Sequence, residues 1–261
     1  MVAEISQFKL PKCANCMESP ELGFDIAMAL QPIVDINSKT VFAQEALVRG
    51  KKGEPAGDVF SKVNEDNLYR FDQTCRIKAV ELASKLEIDS YLSINFMPNA
   101  IYHPELCIRT TMMAAKKYNF PVNRIIFEVT EAEKVIDNEH LKDIVEHYRS
   151  IGFLTAIDDF GAGYSGLNLL ADVQTDIIKL DMALIRNIHK DRVRGIIVKA
   201  ITQVCRDLDI KVIAEGIECY DEISFLIDFG IELFQGFYFA KPAFQEVAEI
   251  SAKAISQKVV T

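Results

Sequence analysis

Eight short runs rich in Val, Ile and Phe recur along the chain, and amphipathic stretches of helical periodicity fill most of the gaps between them. The runs are ALQPIVDI (29–36), VFAQEAL (41–47), YLSINFM (91–97), RIIFEVT (124–130), FLTAIDD (153–159), DIIKLD (176–181), KVIAEG (211–216) and IELFQGFYF (231–239). The helical segments are AGDVFSKVNEDN with DQTCRIKAVELASKL, PELCIRTTMMAAKKY, EHLKDIVEHYRS, IRNIHKDRVRGIIVKAITQVCRDL, DEISFLIDF and PAFQEVAEISAKAI. Strands alternating with helices form parallel sheets, and eight of them predict an α/β fold, a TIM-like (β/α)8 barrel. Only NSKT separates the first two runs, too little for a crossover. That pair is expected to be an antiparallel hairpin, so the barrel begins irregularly with an antiparallel first strand.

No low-complexity tract or linker divides the 261 residues, so residues 27–261 are expected to be one barrel domain preceded by an N-terminal arm, 1–26. The 29 basic and 38 acidic residues leave a net charge of -9, which argues against a binder of long nucleic acid or of an anionic membrane. The start, MVAEISQFKLPK, has no apolar signal region, and no run approaches the roughly 18 apolar residues of a membrane span. A cytoplasmic protein with reduced thiols is expected. Cys13 and Cys16 have CxxC spacing, but no second pair completes a zinc site. They read as reduced thiols on the arm, unless two arms meeting across a dimer supply four thiolates.

A buried strand should be continuously apolar, yet nearly every run carries a polar residue at or near its C-terminal end. These are Glu45, Asn95, Glu128, Asp158 with Asp159, Lys179 with Asp181, Glu215, and Gln235. A lone strand-end carboxylate is ordinarily a helix cap. So many at equivalent places are expected to converge on the one barrel face where such folds build active sites. Asp181 sits a position farther out and either orients Lys179 or caps the next helix. None of His103, His140, His147 and His189 lies at a strand end, which argues against a zinc site of histidine or thiolate type and against Ser/His or Cys/His catalysis. Carboxylates with an amide are hard ligands suited to Mg2+ or Mn2+. The adjacent Asp158 and Asp159 allow one carboxylate to bridge two ions. Glu45, Glu128, Asp158, Asp159 and Glu215 with Lys179 and two divalent ions sum to no net charge, a balance that could clamp a phosphodiester. Lys179 could instead form a Schiff base, but a nest of carboxylates raises a lysine pKa where that chemistry needs it lowered.

The chain resembles the EAL-domain family of cyclic di-GMP phosphodiesterases over roughly residues 27–245. The signature triplet stands as Glu45-Ala46-Leu47 in QEALVRG, after QPIVDI and before SINFMP, FEVTE, DDFGAGYSGL, IIKLD, AEGIE and QGFYFAKP. The resemblance implies two Mg2+ or Mn2+, with Glu45, Asn95, Glu128 and Asp158 on one and Asp158, Asp159 and Glu215 on the other. It implies that Lys179 contacts the water between them and that Glu218 supports the cluster through hydrogen bonds, which puts Glu45, Lys179, Glu215 and Glu218 among the catalytic residues. Gln31, Leu47, Arg49, Asn95, Asp181 and Gln235 would meet the substrate, cyclic di-GMP, which would be opened to linear pGpG. Phe160, Gly161, Gly163 and Tyr164 belong to a catalytic and dimerisation loop that Glu131 secures, and a homodimer is expected. Ala162 and Gly166 replace the family's commoner Thr and Ser, and Gly50 stands where many members carry Trp. A regulatory sensor domain or protein partner is an open expectation. The rival reading is a catalytically silent cyclic di-GMP receptor that signals through a partner.

Overall fold

The computed structural model describes residues 22–101, 103–130, 138–163 and 166–250. Most of the N-terminal arm, with Cys13 and Cys16, lies outside them, as do Glu131 and Tyr164.

Strand β1 (Ile26–Asp35) returns through a four-residue turn into β2 (Thr40–Gly50) as the expected antiparallel hairpin. Asp35 tightens the turn, its Oδ1 accepting from the backbone N–H of Asn37 at 2.8 Å and of Ser38 at 3.1 Å. Six strands follow, each parallel to its predecessor: β3 (Tyr91–Asn95), β4 (Ile125–Thr130), β5 (Leu154–Phe160), β6 (Ile177–Leu180), β7 (Lys211–Ala214) and β8 (Leu233–Gln235). β1 pairs antiparallel with β8 as well as β2, which closes the barrel. Around it run α1 (Ala56–Phe60), α2 (Leu68–Lys85), α3 (Pro104–Lys117), α4 (Asn138–Ile151), α5 (Gly166–Asp172), α6 (Met182–Ile185), α7 (Arg192–Asp207) and α8 (Tyr220–Ile227).

The two-residue period of the strands sorts their side chains into two cores. Ala46, Ile94, Phe127, Ile157, Ile178 and Phe234 join the large core between strands and helices. Ile33, Ala43, Ile126, Ala156, Ile177, Ile213 and Leu233 form a separate apolar cluster inside the barrel. On each parallel strand of that set the residue two places on is polar: Glu45, Glu128, Asp158, Lys179, Glu215 and Gln235. β1 runs the other way, and there the polar residue comes two places earlier, at Gln31. One layer of aliphatic side chains thus carries one layer of polar ones.

Three sequence expectations are corrected. The run 231–239 is strand only over Leu233–Gln235; Phe237, Tyr238 and Phe239 form a turn, because the backbone of Ile217 takes up Gln235 O and Tyr238 N–H. The aromatics therefore do not alternate along a strand: Phe239 is buried and Phe237 is 58% exposed. The helix expected over PAFQEVAEISAKAI is absent as far as residue 250. β8 covers β1 only at Ile33–Asp35, so the free edge at Ala29 and Leu30 is paired instead by β9 (Ala243–Phe244). The long helix expected over 185–208 is broken at Asn187, which adopts a φ of 56°, and restarts at Asp191, whose Oδ1 accepts from Val193 and Arg194 N–H. α5 lies in a stretch the sequence pattern did not mark.

Candidate active site

Lys179, next to last in β6, lies on the polar layer and is 1% exposed. Its Nζ lies 2.8 Å from Glu215 Oε1, 2.9 Å from Glu128 Oε2, 2.9 Å from Asp158 Oδ1 and 3.3 Å from Glu45 Oε2. Five strands, β2, β4, β5, β6 and β7, deliver these groups to one point, as expected. Glu45 is further held by Asn95 Nδ2, donating to Oε1 at 3.0 Å, and by Gln235 Nε2, donating to Oε2 at 2.7 Å. Gln235 Nε2 also lies 3.3 Å from Gln31 Oε1, and Gln31 Nε2 donates to the Ala240 carbonyl at 3.2 Å.

The neighbouring Asp158 and Asp159 should face opposite sides of β5. A bulge lets both serve the site: the pairing of β5 with β6 slips between Ile157 and Phe160, and Asp159 takes a left-handed φ of 54°. This conformation is uncommon outside glycine, and aspartate, like asparagine, is among the side chains that adopt it most readily. Past β7 the chain turns sharply at Gly216, φ 66°, where a Cβ would stand 2.3 Å from that of Met182.

Acidic oxygens fall into two groups, Glu45 with Glu128 and Asp158, and Asp158 with Asp159 and Glu215, the atoms of each within 4.8 Å of one another. Asp158 is common to both. Its Oδ1 is buried and, although close to Lys179, makes no well-directed hydrogen bond. An all-oxygen donor set sharing a carboxylate fits hard divalent cations.

Electrostatics reflect too many acids for one lysine. Burial pushes the Glu128 carboxyl up to about 8, with Glu45 and Asp158 adding to the shift and Lys179 opposing it. Burial and the charge of Asp158 push Asp159 up to about 6. Asp158 and Glu215 rise mainly through burial. Burial also opposes the charge on Glu45, but Lys179, Gln235 and Asn95 outweigh it and hold that group low. For Lys179 burial is outweighed by its four carboxylates, which hold it well above the ordinary lysine value. Carboxyls raised in the fold keep protons that the unfolded chain has released, so their stabilisation, complete at low pH, is lost as pH climbs. The window runs from 3.8 and 4.5 to about 6 for Asp159 and about 8 for Glu128. Thermal unfolding in EDTA should show the midpoint falling between about pH 5 and pH 9, and saturating Mg2+ or Mn2+ should flatten that fall. A midpoint that rises across this interval without metal would contradict the assignment.

Leu47 and Arg49 follow Glu45 on the same face of β2, nearer its end, both half-buried; Arg49 Nη1 donates to the Val48 carbonyl at 2.7 Å. Asp181 takes the capping role, its Oδ1 accepting from Ala183 N–H at 2.8 Å at the start of α6. Glu218 departs from expectation. Its carboxylate pairs with Arg186 and is half exposed, whereas Glu222 pins the loop after β7, its Oε2 accepting from Glu218 N–H at 2.9 Å and its Oε1 from Asn187 N–H at 2.7 Å. Phe160 ends β5 buried, and Gly161 follows at φ 96° against Leu184.

The sequence reading also missed three supports. Ser93 is fully buried and its Oγ donates to Glu128 Oε1; its signal is a polar residue at the inward parity of β3. Asp72 accepts from Met97 N–H at 3.0 Å, just past Asn95. Arg76 holds Asp72 at 2.8 Å, donates to the Tyr148 hydroxyl at 3.2 Å and stands over the rings of Phe96 and Phe127.

Fold and site together define a TIM-like barrel with a carboxylate-rich mouth. The chain belongs to the EAL family, whose model, described as "EAL domain", matches residues 21–242. Two curated relatives from Escherichia coli (strain K12) are the blue light- and temperature-regulated antirepressor BluF, 32% identical over 96% of this chain and 61% of its own, and the cyclic di-GMP phosphodiesterase PdeR, 40% identical over 49% and 19%. The chain thus spans 61% or less of the length of these relatives. Among solved structures, a standalone versatile EAL protein from Vibrio cholerae O395 in its c-di-GMP-bound form is 56% identical, with a TM-score of 0.87 over 90% of this chain and 99% of that one. A manganese and cy-diGMP complex of Klebsiella pneumoniae BlrP1 is 36% identical, with a TM-score of 0.82 over 87% and 58%. No helix among the described residues is long and apolar enough to cross a membrane.

Proposed function

We propose that the chain is a cyclic di-GMP phosphodiesterase that opens one phosphodiester bond to give linear pGpG, with two Mg2+ or Mn2+ held in the barrel mouth. The observation that carries this reading is the pair of acidic groups sharing Asp158, with Lys179 in contact with both. Glu45, Asn95, Glu128 and Asp158 would hold one cation and Asp158, Asp159 and Glu215 the other. When bound, such cations lower the pKa of a water to make a nucleophile and neutralise charge growing on the phosphoryl oxygens. Lys179 sits where the two groups meet and there donates a hydrogen bond to the attacking oxygen. Gln235 and Asn95 hold Glu45 in one orientation; Gln31, Leu47 and Arg49 line the approach and grip the dinucleotide, Arg49 through a phosphate oxygen. The PdeR relative and the two nucleotide-bound neighbours support the substrate, and the manganese complex supports the cations. A homodimer built on the segment after β5, and regulation by a sensor domain or protein partner, belong to the same reading.

The antirepressor relative BluF, aligned over nearly the whole chain, favours one second reading, a silent cyclic di-GMP receptor. One assay separates them. Purified protein is given cyclic di-GMP with Mg2+, with Mn2+ or with EDTA, and pGpG is followed by chromatography beside a Glu45→Ala control. Metal-dependent pGpG that vanishes in the variant is the expected result. Nucleotide binding with no product under any metal overturns the enzyme in favour of the receptor.

A further inference from the structure

Beside the barrel mouth, the loop that leaves β7 runs from Glu215 to Cys219, the N-cap of α8, and α8 packs against a single 3-10 turn, Ile188–Lys190. His189 lies on that turn with its side chain 14% exposed. Both ring nitrogens are buried and neither has a hydrogen-bond partner among the described residues; the nearest acid, Asp221 Oδ2, is 3.9 Å from Nε2. Buried polar atoms are nearly always paired, so an imidazole with both nitrogens unbonded calls for a ligand. A ring nitrogen of His189, the thiol of Cys219 and a carboxylate oxygen of Glu222 all fall within 4.8 Å of one another. Glu222 is immobilised there by backbone N–H groups of Asn187, Glu218 and Cys219, at 2.7, 2.9 and 3.3 Å.

We propose that His189, Cys219 and Glu222 form a second metal site, outside the barrel, for a borderline-soft divalent cation of the zinc class. Nitrogen, sulfur and oxygen donors in one cluster select zinc over magnesium, the reverse of the all-oxygen set around Asp158. Zinc bonds of about 2.0–2.3 Å need the three atoms to draw in by about an ångström, and a water or the exposed Asp221 completes four ligands. The backbone hydrogen bonds to Glu222 are the outer-shell support that a ligating carboxylate normally has. Metal bound here ties the turn at 188–190 to the loop that begins at Glu215, bracing that loop without entering the mouth.

The test uses the full chain carrying Cys13→Ser and Cys16→Ser, which removes the CxxC pair, with excess Mg2+ to occupy oxygen-only sites. Zinc is titrated against a chromophoric chelator, and Co2+ is added in place of zinc to look for the near-ultraviolet band of a thiolate–cobalt bond. Stoichiometric zinc and a clear cobalt–thiolate band are expected. Cys219→Ser keeps a good N-cap and so should fold, but it should abolish the band and weaken zinc by at least about tenfold. His189→Gln breaks none of the described hydrogen bonds and should weaken zinc by about 10- to 100-fold. Asp158→Asn should leave the band intact. No band in the parent chain, zinc affinity unchanged in both site variants, or loss of the band with Asp158→Asn would each overturn the proposal. None of these readouts depends on cyclic di-GMP, so the site stands or falls apart from the phosphodiesterase reading.

Discussion

Asp158→Asn is expected to cut kcat for cyclic di-GMP hydrolysis by at least about 10³-fold, a loss of about 4 kcal/mol of transition-state stabilisation. The side chain keeps its size and one oxygen, so the bulge in β5 survives; what disappears is the charge shared by both acidic groups. Other oxygens can partly compensate a ligand that serves one cation. A shared one has no substitute, since each group would be left with two carboxylates and a weaker neutral donor. Turnover should be measured at saturating Mn2+ and again at Mg2+, beside a thermal melt that confirms folding. A folded variant within tenfold of the parent kcat at both metals removes Asp158 from the role.

Lys179→Met should act on stability and turnover together, and metal should separate the two. In the metal-free chain Lys179 lies against four carboxylates, and removing one partner of a buried ionic group typically costs about 3–5 kcal/mol. Protonation of Glu128, already favoured by burial, offsets part of this below about pH 8. Divalent cations bring back the missing positive charge, so the variant should melt well below the parent in EDTA and close to it in saturating Mn2+. Turnover should not return if, as proposed, the lysine serves the reacting oxygen; the fall should appear in kcat with KM little changed. Equal melting in EDTA would show that the carboxylates had been satisfied without the lysine, and a loss confined to KM would make it a substrate contact.

The architecture and most of the site were readable because both follow from one strand-level rule. Polar residues at the ends of seven of the eight apolar runs declared the barrel mouth, and NSKT declared the odd first strand. The elements that went unread are those for which local pattern is overruled by backbone satisfaction. GFYF has strand-like composition, but Ile217 captures its backbone; AFQEVAEI has helical periodicity, but a free edge of β1 claims Ala243 and Phe244. Ser93 carries a weaker signal, a small hydroxyl in mid-strand, although the parity that marks Asn95 marks it too. Glu222 was hidden because its capping-box partner is Cys219, where serine or threonine would have announced the motif. Glu218, which the resemblance assigned to the cluster, pairs in the structure with Arg186, while Glu222 holds the backbone of the loop after β7. Asp72 and Arg76 left no trace at all: on an amphipathic helix a charged pair four apart reads as a solvated bridge, and only the fold reveals it as buried.

The seven aliphatic side chains beneath the polar layer act on what happens above them. They stopper the barrel from below, so the acidic cluster meets solvent from one direction, and the negative charge it gains as its raised carboxyls ionise sets a field felt outward through the mouth. A dinucleotide arriving at the bare protein brings its phosphates against that field. Cations are drawn in by the same field. The stopper therefore leaves one door for the proposed reaction, through which metal and nucleotide enter and the product must leave.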